Sequence, residues 1–401
     1  MENLGRANVR SVVFVLTLVH FIHLVDFVVM MPLGPALISL FKLTPAEFSG
    51  LVSVYNIASG VIGIIFSFYS NLFQKKYALT LSLVGLGVFT ICTGFSSNYE
   101  LLFFSRLLTG VFGGMLNPLV FAIVADLIPY SQRGKAMGWI MSGFSMASVF
   151  GVPLGLWLND HYGLSTPFIL IGAFAILVSL VCFYILPEIK KEAQTLNISK
   201  LVKEVNSCFK NSIYLKSFTL MFILSGSMFL LIPLLSPFAV SNMGMAQEDL
   251  KYMYLIGGAL TIFTARLFGI LTDRFGAKTI FNYICLLSFI PIYLFTTSGK
   301  ISFYKYIIIG SFFMSFVSGR MIPLMTFISS VPSSIDRNRF MGLLNSIRGF
   351  GSAIFAYVTG LVVTTSSRGE LIHFDKVGGA AIVISIGALI MFNKLKKITS
   401  A

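Results

Sequence analysis

Charged side chains are scarce in this chain of 401 residues. Asp, Glu, Lys and Arg make up 11% of it, against 56% hydrophobic residues and a mean hydropathy of +0.88. A soluble domain cannot bury so much apolar surface, so the composition predicts an all-α protein that crosses the lipid bilayer many times. Only four cysteines are present, three of them inside apolar stretches, which excludes a disulfide scaffold.

The sequence also lacks the signatures of several enzyme classes. It contains no G-x-x-x-x-G-K-[ST] loop to cradle phosphates, no nucleophile elbow and no H-E-x-x-H zinc motif. We therefore expect no enzyme activity, no cofactor and no metal site, and ATP is not the expected energy source.

Twelve apolar segments follow one another along the chain. Several are longer than the roughly 20 residues needed to cross a bilayer, and prolines inside them predict tilted or kinked helices. The predicted spans are residues 11–40, 46–70, 78–97, 99–128, 136–160, 166–187, 213–242, 247–270, 279–297, 302–330, 339–364 and 376–394.

The basic residues set the predicted orientation. Nineteen of the 29 Lys and Arg fall on the side that holds both termini and the even-to-odd loops, and six fall on the other side. The positive-inside rule places the first side in the cytoplasm, and this pattern explains the net charge of +14 without a nucleic-acid partner. We expect a multi-pass protein of a bacterial inner membrane.

A long internal repeat organises the chain. Residues 41–79 align without a gap with residues 243–281, which lie 202 positions later. The aligned pairs include Glu47 with Asp249, Asn71 with Asp273, and Lys76 with Lys278. Such repeats predict two membrane halves in parallel register.

The repeat gives the predicted domain boundaries. We expect a first six-helix half over residues 1–187 and a second over residues 213–401. Apolar residues recur at helical spacing in the linker, residues 188–212, with Lys and Glu between them. This pattern predicts an amphipathic helix on the cytoplasmic membrane surface.

The chain contains two glycine-containing motifs, one at the predicted cytoplasmic face of the membrane and one inside a predicted span. The second copy of the repeat ends in Gly269-Ile-Leu-Thr-Asp273-Arg274-Phe-Gly276-Ala-Lys278, a basic turn predicted at the cytoplasmic face, whereas the first copy has lost the glycines and the aspartate. Span four reads Arg106-Leu-Leu-Thr-Gly110-Val-Phe-Gly-Gly114. An arginine in a membrane span is costly unless it faces a partner or a cavity.

A stripe of small residues follows in span five: Gly143-x-x-x-Ala147-x-x-x-Gly151-Val-Pro153-Leu-Gly155. Small residues every four positions allow a neighbouring helix to approach closely. Together these motifs resemble those of the major facilitator superfamily, and the stripe resembles the antiporter motif of its twelve-span drug:proton antiporters. The resemblance implies twelve helices in two pseudo-symmetric halves that rock around a central cavity.

The resemblance also implies roles for individual residues. It makes Arg106 a candidate for proton coupling and the stripe of span five a helix-packing motif for antiport. It assigns the cytoplasmic gate to Gly269, Asp273, Arg274, Gly276 and Lys278, and to Asp126 and Arg133, which we expect to pair. Asn117, Arg320 and Arg348 are candidate substrate-binding residues.

Span one carries His20, His23 and Asp26 on one helical face. An acid near mid-membrane that binds and releases a proton could couple transport to a proton gradient. Asp26 could instead make a structural hydrogen bond or bind a metal, although no carboxylate cluster supports a metal. His20 and His23 are further candidates for binding substrate.

The sequence therefore predicts a monomeric secondary transporter that exports a small organic molecule by proton antiport. Four arginines but one clear acid lie inside the spans. This excess favours an anionic or zwitterionic amphiphile, or a carboxylate metabolite such as a siderophore, as an alternative substrate. A neutral solute such as a sugar is a third candidate substrate. A membrane receptor that binds its ligand without transporting it is a candidate of a different functional class.

Overall fold

The computed structural model describes residues 9–69, 72–188, 198–332 and 337–395. Within these ranges the chain is almost entirely helical. The helices are α1 (Val9–Val29), α2 (Gly34–Phe41), α3 (Pro45–Tyr69), α4 (Lys75–Gly94), α5 (Tyr99–Leu127), α6 (Tyr130–Met146), α7 (Val152–Tyr162), α8 (Ser165–Ile185), α9 (Ile198–Lys210), α10 (Ser212–Phe229), α11 (Ile232–Ser241), α12 (Leu250–Phe275), α13 (Ala277–Thr297), α14 (Phe303–Gly319), α15 (Met321–Ile328), α16 (Arg337–Val362) and α17 (Phe374–Lys394).

The predicted spans all correspond to helices. Eleven helical segments of the described chain are long and apolar enough to cross a membrane. The remaining predicted span, the eleventh in chain order, is α16, which has 26 residues but also carries Asn345 and Arg348 and is therefore more polar. The prediction of an all-α membrane fold is confirmed.

Prolines break some of these spans and leave others continuous. The first, seventh and tenth predicted spans each consist of two helices. The first break contains Pro32, and the other two breaks precede Pro233 and Pro323. Proline has no N–H to donate and its ring clashes with the preceding turn, so a helix tends to end just before it. Pro118, by contrast, lies inside the continuous helix α5.

The structure differs from the predictions at some span ends and in one additional element. Helix α6 begins at Tyr130, six residues before the predicted start of span five. Helix α12 continues to Phe275, five residues beyond the predicted end of span eight, because polar residues such as Asp273 can extend a helix beyond its apolar part. The structure also contains a hairpin that the sequence does not predict, in which β1 (Thr364–Thr365) pairs antiparallel with β2 (Leu371–Ile372). The side-chain amide of Asn242 extends it by two hydrogen bonds of 2.9 Å to the backbone of Leu371.

The chain forms two compact units. The first contains Met1–Met30 and Val54–Lys203, and the second contains Met31–Ser53 and Glu204–Ala401. Residues 31–53 thus belong to the second unit, although the repeat assigns them to the first half. Helix α9 covers the later part of the predicted linker, whereas residues 189–197 lie outside the described chain. The boundaries drawn at residues 187 and 213 stay a prediction.

Helix pairing follows the same scheme in both units. In the first unit α1 packs on α6 and α4 on α8; in the second α10 packs on α16 and α13 on α17. The aligned lysines follow this scheme. Lys76 of α4 lies 4.8 Å from the ring of Phe183 on α8, and Lys278 of α13 donates to the carbonyl of Asn393 on α17 at 2.8 Å.

Within the second unit, residues 31–53 pack tightly on α11 and α16. The hydroxyl of Ser53 donates to the carbonyl of Ala353 at 2.8 Å, in a buried position. A methyl group on Gly360 would lie 2.7 Å from the Cα of Ala46, and one on Gly34 would lie 3.0 Å from Pro237. Glycine at these positions is therefore needed for the close approach.

Candidate functional site

Asp26 lies in the middle of the first unit and is completely buried. Its carboxylate accepts hydrogen bonds from Nη1 of Arg106, which lies 3.1 Å from one oxygen and 3.3 Å from the other. The Thr90 hydroxyl donates a further bond of 2.8 Å. A buried carboxylate is stable only when it is paired and hydrogen-bonded, and both conditions are met here.

Arg106 makes a second contact, with an aromatic ring. Its guanidinium carbon lies 4.7 Å from the ring centre of Tyr55 on α3, a distance at which the ring attracts a cation. Its Nε is buried and has no hydrogen-bond partner among the described residues. Tyr55 connects the ion pair to His23, because its hydroxyl lies 3.3 Å from Nδ1 of that histidine.

Two of the candidate substrate-binding residues also lie close together. Nδ1 of His20 lies 3.1 Å from Oδ1 of Asn117 on α5. His20 is 7% exposed and His23 is 6% exposed, so both rings are enclosed by the first unit. Helix α1 thus presents His20, His23 and Asp26 to the interior of the unit.

The glycines of α5 make the approach of Tyr55 feasible. A methyl group on Gly110 would lie 2.5 Å from the carbonyl oxygen of Tyr55, and one on Gly114 would lie at the same distance from that of Ser59. A methyl group on Gly113 would meet the Tyr55 hydroxyl at 2.7 Å. The glycines that follow Arg106 therefore bring α3 close enough for Tyr55 to reach both Arg106 and His23.

The small-residue stripe of α6 and α7 packs against the same helix that carries Asp26. A methyl group on Gly143 would lie 3.1 Å from the backbone nitrogen of Phe21, and one on Gly155 would lie 2.6 Å from Val29. Between them, Gly151 is in direct contact with Val25, one residue before Asp26. This stripe therefore determines where α1 lies.

The centre of the stripe is not a regular α-helix. Residues Ala147–Gly151 form a π-helical turn, which the N–H of Val152 closes by bonding to the carbonyl of Ala147. Pro153 follows and has no N–H to continue the α-helical pattern. Turns of this kind are frequent at functional sites.

At the predicted cytoplasmic end of α5, the partners differ from those expected. Asp126 forms its ion pair with Lys75, at 2.5 Å, and not with Arg133 as predicted. Arg133 instead donates to the backbone carbonyls of Ala125 and Ile128. Because Arg133 follows the end of α5 closely in sequence, its side chain reaches the free carbonyls there.

The residues predicted for the gate in the second copy of the repeat lie at the junction of α12 and α13. Gly276 has a φ of +87°, which a side chain would strain, and it ends one helix and begins the next. Asp273 and Arg274 are exposed, Gly269 has no neighbour close to the position of a side chain, and Lys278 bonds to α17 as described.

The two arginines predicted to bind substrate have different environments. Arg320 is completely buried at the break between α14 and α15. Its Nη1 donates to the Ser385 hydroxyl at 2.8 Å, the Cys285 thiol lies beside it, and its Nη2 has no oxygen or nitrogen partner in the described chain. Arg348 is exposed on α16.

Three residues of the site were missed by the sequence analysis: Tyr55, Thr90 and Lys75. The signal for Tyr55 lay in Gly110 and Gly113, whose small size requires that something large pack there. Thr90 resembles the many hydroxyl residues of the spans, and nothing in the sequence distinguishes it. Among the described residues, no group of three or more His, Cys, Asp or Glu side chains could hold a metal ion.

The sequence matches the family model of the Major Facilitator Superfamily over residues 16–356, and again over residues 217–393. The chain belongs to the major facilitator superfamily. It is therefore a transporter and not an enzyme, and a multi-pass membrane protein.

Several superfamily members resemble this transporter. Multidrug resistance protein 2 of Bacillus subtilis (strain 168) is 23% identical over 288 residues, which cover 70% of this chain and 72% of the relative. Multi-drug resistance efflux pump PmrA of Streptococcus pneumoniae serotype 4 is 27% identical over 194 residues, 44% of this chain and 45% of the pump. The crystal structure of a D-xylose-proton symporter has the same fold, with a TM-score of 0.76 and 16% identity over 97% of this chain and all of the symporter.

Proposed function

We propose that this transporter exports a small organic molecule in exchange for protons, with Asp26 and Arg106 as the proton-coupling pair. The observation that carries the proposal is the pair itself: an acid at mid-span, completely buried, bonded to a buried arginine and a threonine. Export as the direction is supported by the relatives described above, which are named for multidrug resistance and efflux.

The chemistry of the pair provides a means of coupling. When Asp26 is ionised, it holds Arg106 of α5 against α1. When it takes up a proton, the attraction is lost and the guanidinium must find other acceptors. Since Gly143, Gly151 and Gly155 of the small-residue stripe pack on α1, a shift of α1 is transmitted to α6 and α7. Proton uptake then biases the two states of an alternating-access cycle.

The test is transport by purified protein in proteoliposomes. Asp26→Asn should lose flux driven by a pH gradient while it keeps exchange of substrate for substrate, because the neutral amide cannot release a proton. Asp375→Asn is the matched control, since Asp375 is exposed at the start of α17. Gradient-driven flux at the wild-type rate in Asp26→Asn would contradict the proposal.

Arg348 is the candidate residue for contacting the substrate. It shares a face of α16 with Asn345, which is also exposed, and with Ser352 and Ala356, which are buried. It lies 11 residues into α16, about 16 Å from the start. A guanidinium exposed to lipid at that depth is costly, so the exposed part of this face should line a water-filled cavity.

This exposed cation favours a second candidate function, the export of an organic anion. A thermal-shift panel of a lipophilic cation (ethidium), a neutral sugar (xylose) and a carboxylate amphiphile (decanoate) separates the candidate substrate classes. A ligand at 100 times its dissociation constant adds about 2.7 kcal/mol to the free energy of unfolding. Stabilisation by decanoate that Arg348→Ala abolishes would support an anionic substrate. Stabilisation by ethidium that Arg348→Ala leaves intact would count against it.

The orientation and the gate complete the proposal. Both termini lie in the cytoplasm, as the distribution of basic residues supports. The protein works as a monomer in the inner membrane. Its cytoplasmic gate residues are the Lys75–Asp126 pair with Arg133 in the first unit, and in the second unit the residues from Gly269 to Lys278 at the junction of α12 and α13. Labelling of a cysteine introduced at Arg274 should occur from the cytoplasmic side; labelling from outside would reverse the orientation.

A further inference from the structure

A second titratable group is built into the buried network of the first unit. His23 lies one helical turn before Asp26 on α1, so the two side chains are neighbours on one face. Its Nδ1 lies 3.3 Å from the hydroxyl of Tyr55, and the ring of Tyr55 lies beneath the guanidinium of Arg106 at 4.7 Å. His23 is thus linked to the ion pair through Tyr55.

The Tyr55 hydroxyl suits both protonation states of His23. It donates to Nδ1 when the imidazole is neutral and accepts from Nδ1 when the ring is an imidazolium, since a phenol can do either. Gly113 leaves room for this bond, because a methyl group there would lie 3.2 Å from the His23 ring and 2.7 Å from the hydroxyl. His23 can therefore gain or lose a proton without losing its partner.

The other ionisable residues of the helices that surround α1 in the first unit lie near the ends of those helices. All of them are within about two turns of a helix end: Tyr69, Lys75, Lys76, Tyr77, Cys92, Tyr99, Glu100, Asp126, Tyr130, Arg133, Lys135, Asp160, His161, Tyr162, Cys182 and Tyr184. Among the described residues, the charges near His23 at mid-span are therefore those of Asp26 and Arg106, together with its neighbour His20.

Charge limits this cluster to one mobile proton. With Asp26 ionised, the charges of Asp26 and Arg106 cancel. One proton added to Asp26 or to His23 gives a net charge of +1, whereas protonation of both gives +2 in an interior of low dielectric constant. We propose that His23 is a second proton carrier, which shares a single proton with Asp26. His20, one turn further towards the start of α1 and bonded to Asn117, extends the path.

This inference rests on the proposed antiport but can fail separately from it. The chain has four histidines, so protein labelled with ¹⁵N-histidine in lipid nanodiscs gives few ring signals, and His23→Gln assigns that of His23. His161 and His373 are exposed and serve as references. In the wild type, the His23 signal should titrate between about pH 5 and 8.

Two variants test the sharing of the proton. In Asp26→Asn the charge of Arg106 is uncompensated, so the midpoint of the His23 titration should fall by about one to two pH units. Tyr55→Phe keeps the ring under Arg106 but removes the hydroxyl. Because the bond from the charged imidazolium to the hydroxyl is stronger than the bond from the hydroxyl to the neutral ring, the midpoint should fall by a smaller amount. The wild type and Tyr55→Phe decide the question even if Asp26→Asn does not fold.

The proposal is overturned if His23 in the wild type does not titrate above about pH 4. It is also overturned if the midpoint in Asp26→Asn or in Tyr55→Phe is the same as in the wild type. Either result, combined with loss of gradient-driven flux in Asp26→Asn, would leave proton antiport standing without His23. Unchanged flux in Asp26→Asn would instead count against antiport, whatever the titration of His23 shows.

Discussion

Replacing Asp26 by Asn leaves the buried guanidinium of Arg106 without a counter-charge. Removing one partner of a buried ion pair costs about 3–5 kcal/mol. The cost for this pair should lie at the lower end of that range, because a single nitrogen of Arg106 contacts both oxygens of Asp26 and the Nε of Arg106 is already unpaired. Thr90 can still donate to the new amide oxygen. We therefore expect a loss of about 3 kcal/mol, or roughly 6–12 °C in Tm.

The assay is thermal unfolding in detergent, followed with a dye that becomes fluorescent on reaction with thiols. Cys182 is completely buried in the same unit and reports its opening. Arg106→Gln should be destabilised to a similar extent. The double variant, Asp26→Asn with Arg106→Gln, should recover at least about 2 kcal/mol relative to the sum of the single losses, because no unpaired charge remains.

An additive result would refute this reasoning. If the double variant loses the sum of the two single losses to within about 0.5 kcal/mol, the residues do not interact. Asp375→Asn is the control and should unfold like the wild type, since its exposed side chain lies on the second unit.

Two further predictions concern packing and the hairpin. Gly151→Ala should slow transport and lower the free energy of unfolding by about 1–3 kcal/mol, because the new methyl group meets the branched side chain of Val25. Adding Val25→Ala should restore both transport and stability. Failure of this rescue would show that the contact is not the cause. Asn242→Ala removes both hydrogen bonds to Leu371 and should lower stability by about 1–2 kcal/mol. In the thiol-dye assay, the buried Cys285 of the same unit reports the change, and an unchanged Tm would show that water replaces these bonds.

Much of the fold could be predicted because bilayer thickness and proline act locally. Pro32, Pro233 and Pro323 break their spans by removing a donor from the chain itself. The continuous path of α5 through Pro118 depends instead on neighbouring helices, which local sequence does not describe. The assignment of residues 31–53 to the second unit was also out of reach, because the contacts of Gly34 and Ser53 join residues far apart in sequence.

The residues of the candidate site could be predicted from the sequence, but the groups that they contact could not. A charge inside an apolar span identifies Asp26 and Arg106 without any structure, since such a charge is rare unless it has a role. Which groups contact Asp26 and Arg106 depends on how each helix is rotated about its own axis. A rotation of a few tens of degrees would place a neighbour of Tyr55 in its position. For Asp126, the sequence favours Arg133, a basic residue a few positions later, whereas helix packing brings Lys75 from a separate helix into the ion pair.

The packing of residues 31–53 on α11 and α16 bears on attempts to produce the transporter as two polypeptides. A cut in the stretch 189–197 would place Ser53 and Gly34 on one fragment and their partners Ala353 and Pro237 on the other. The C-terminal fragment alone would carry an uncovered seam along α16. We expect it to be stable only when co-expressed with the N-terminal fragment, whereas a cut that kept residues 31–53 with the second unit would have to fall immediately after α1.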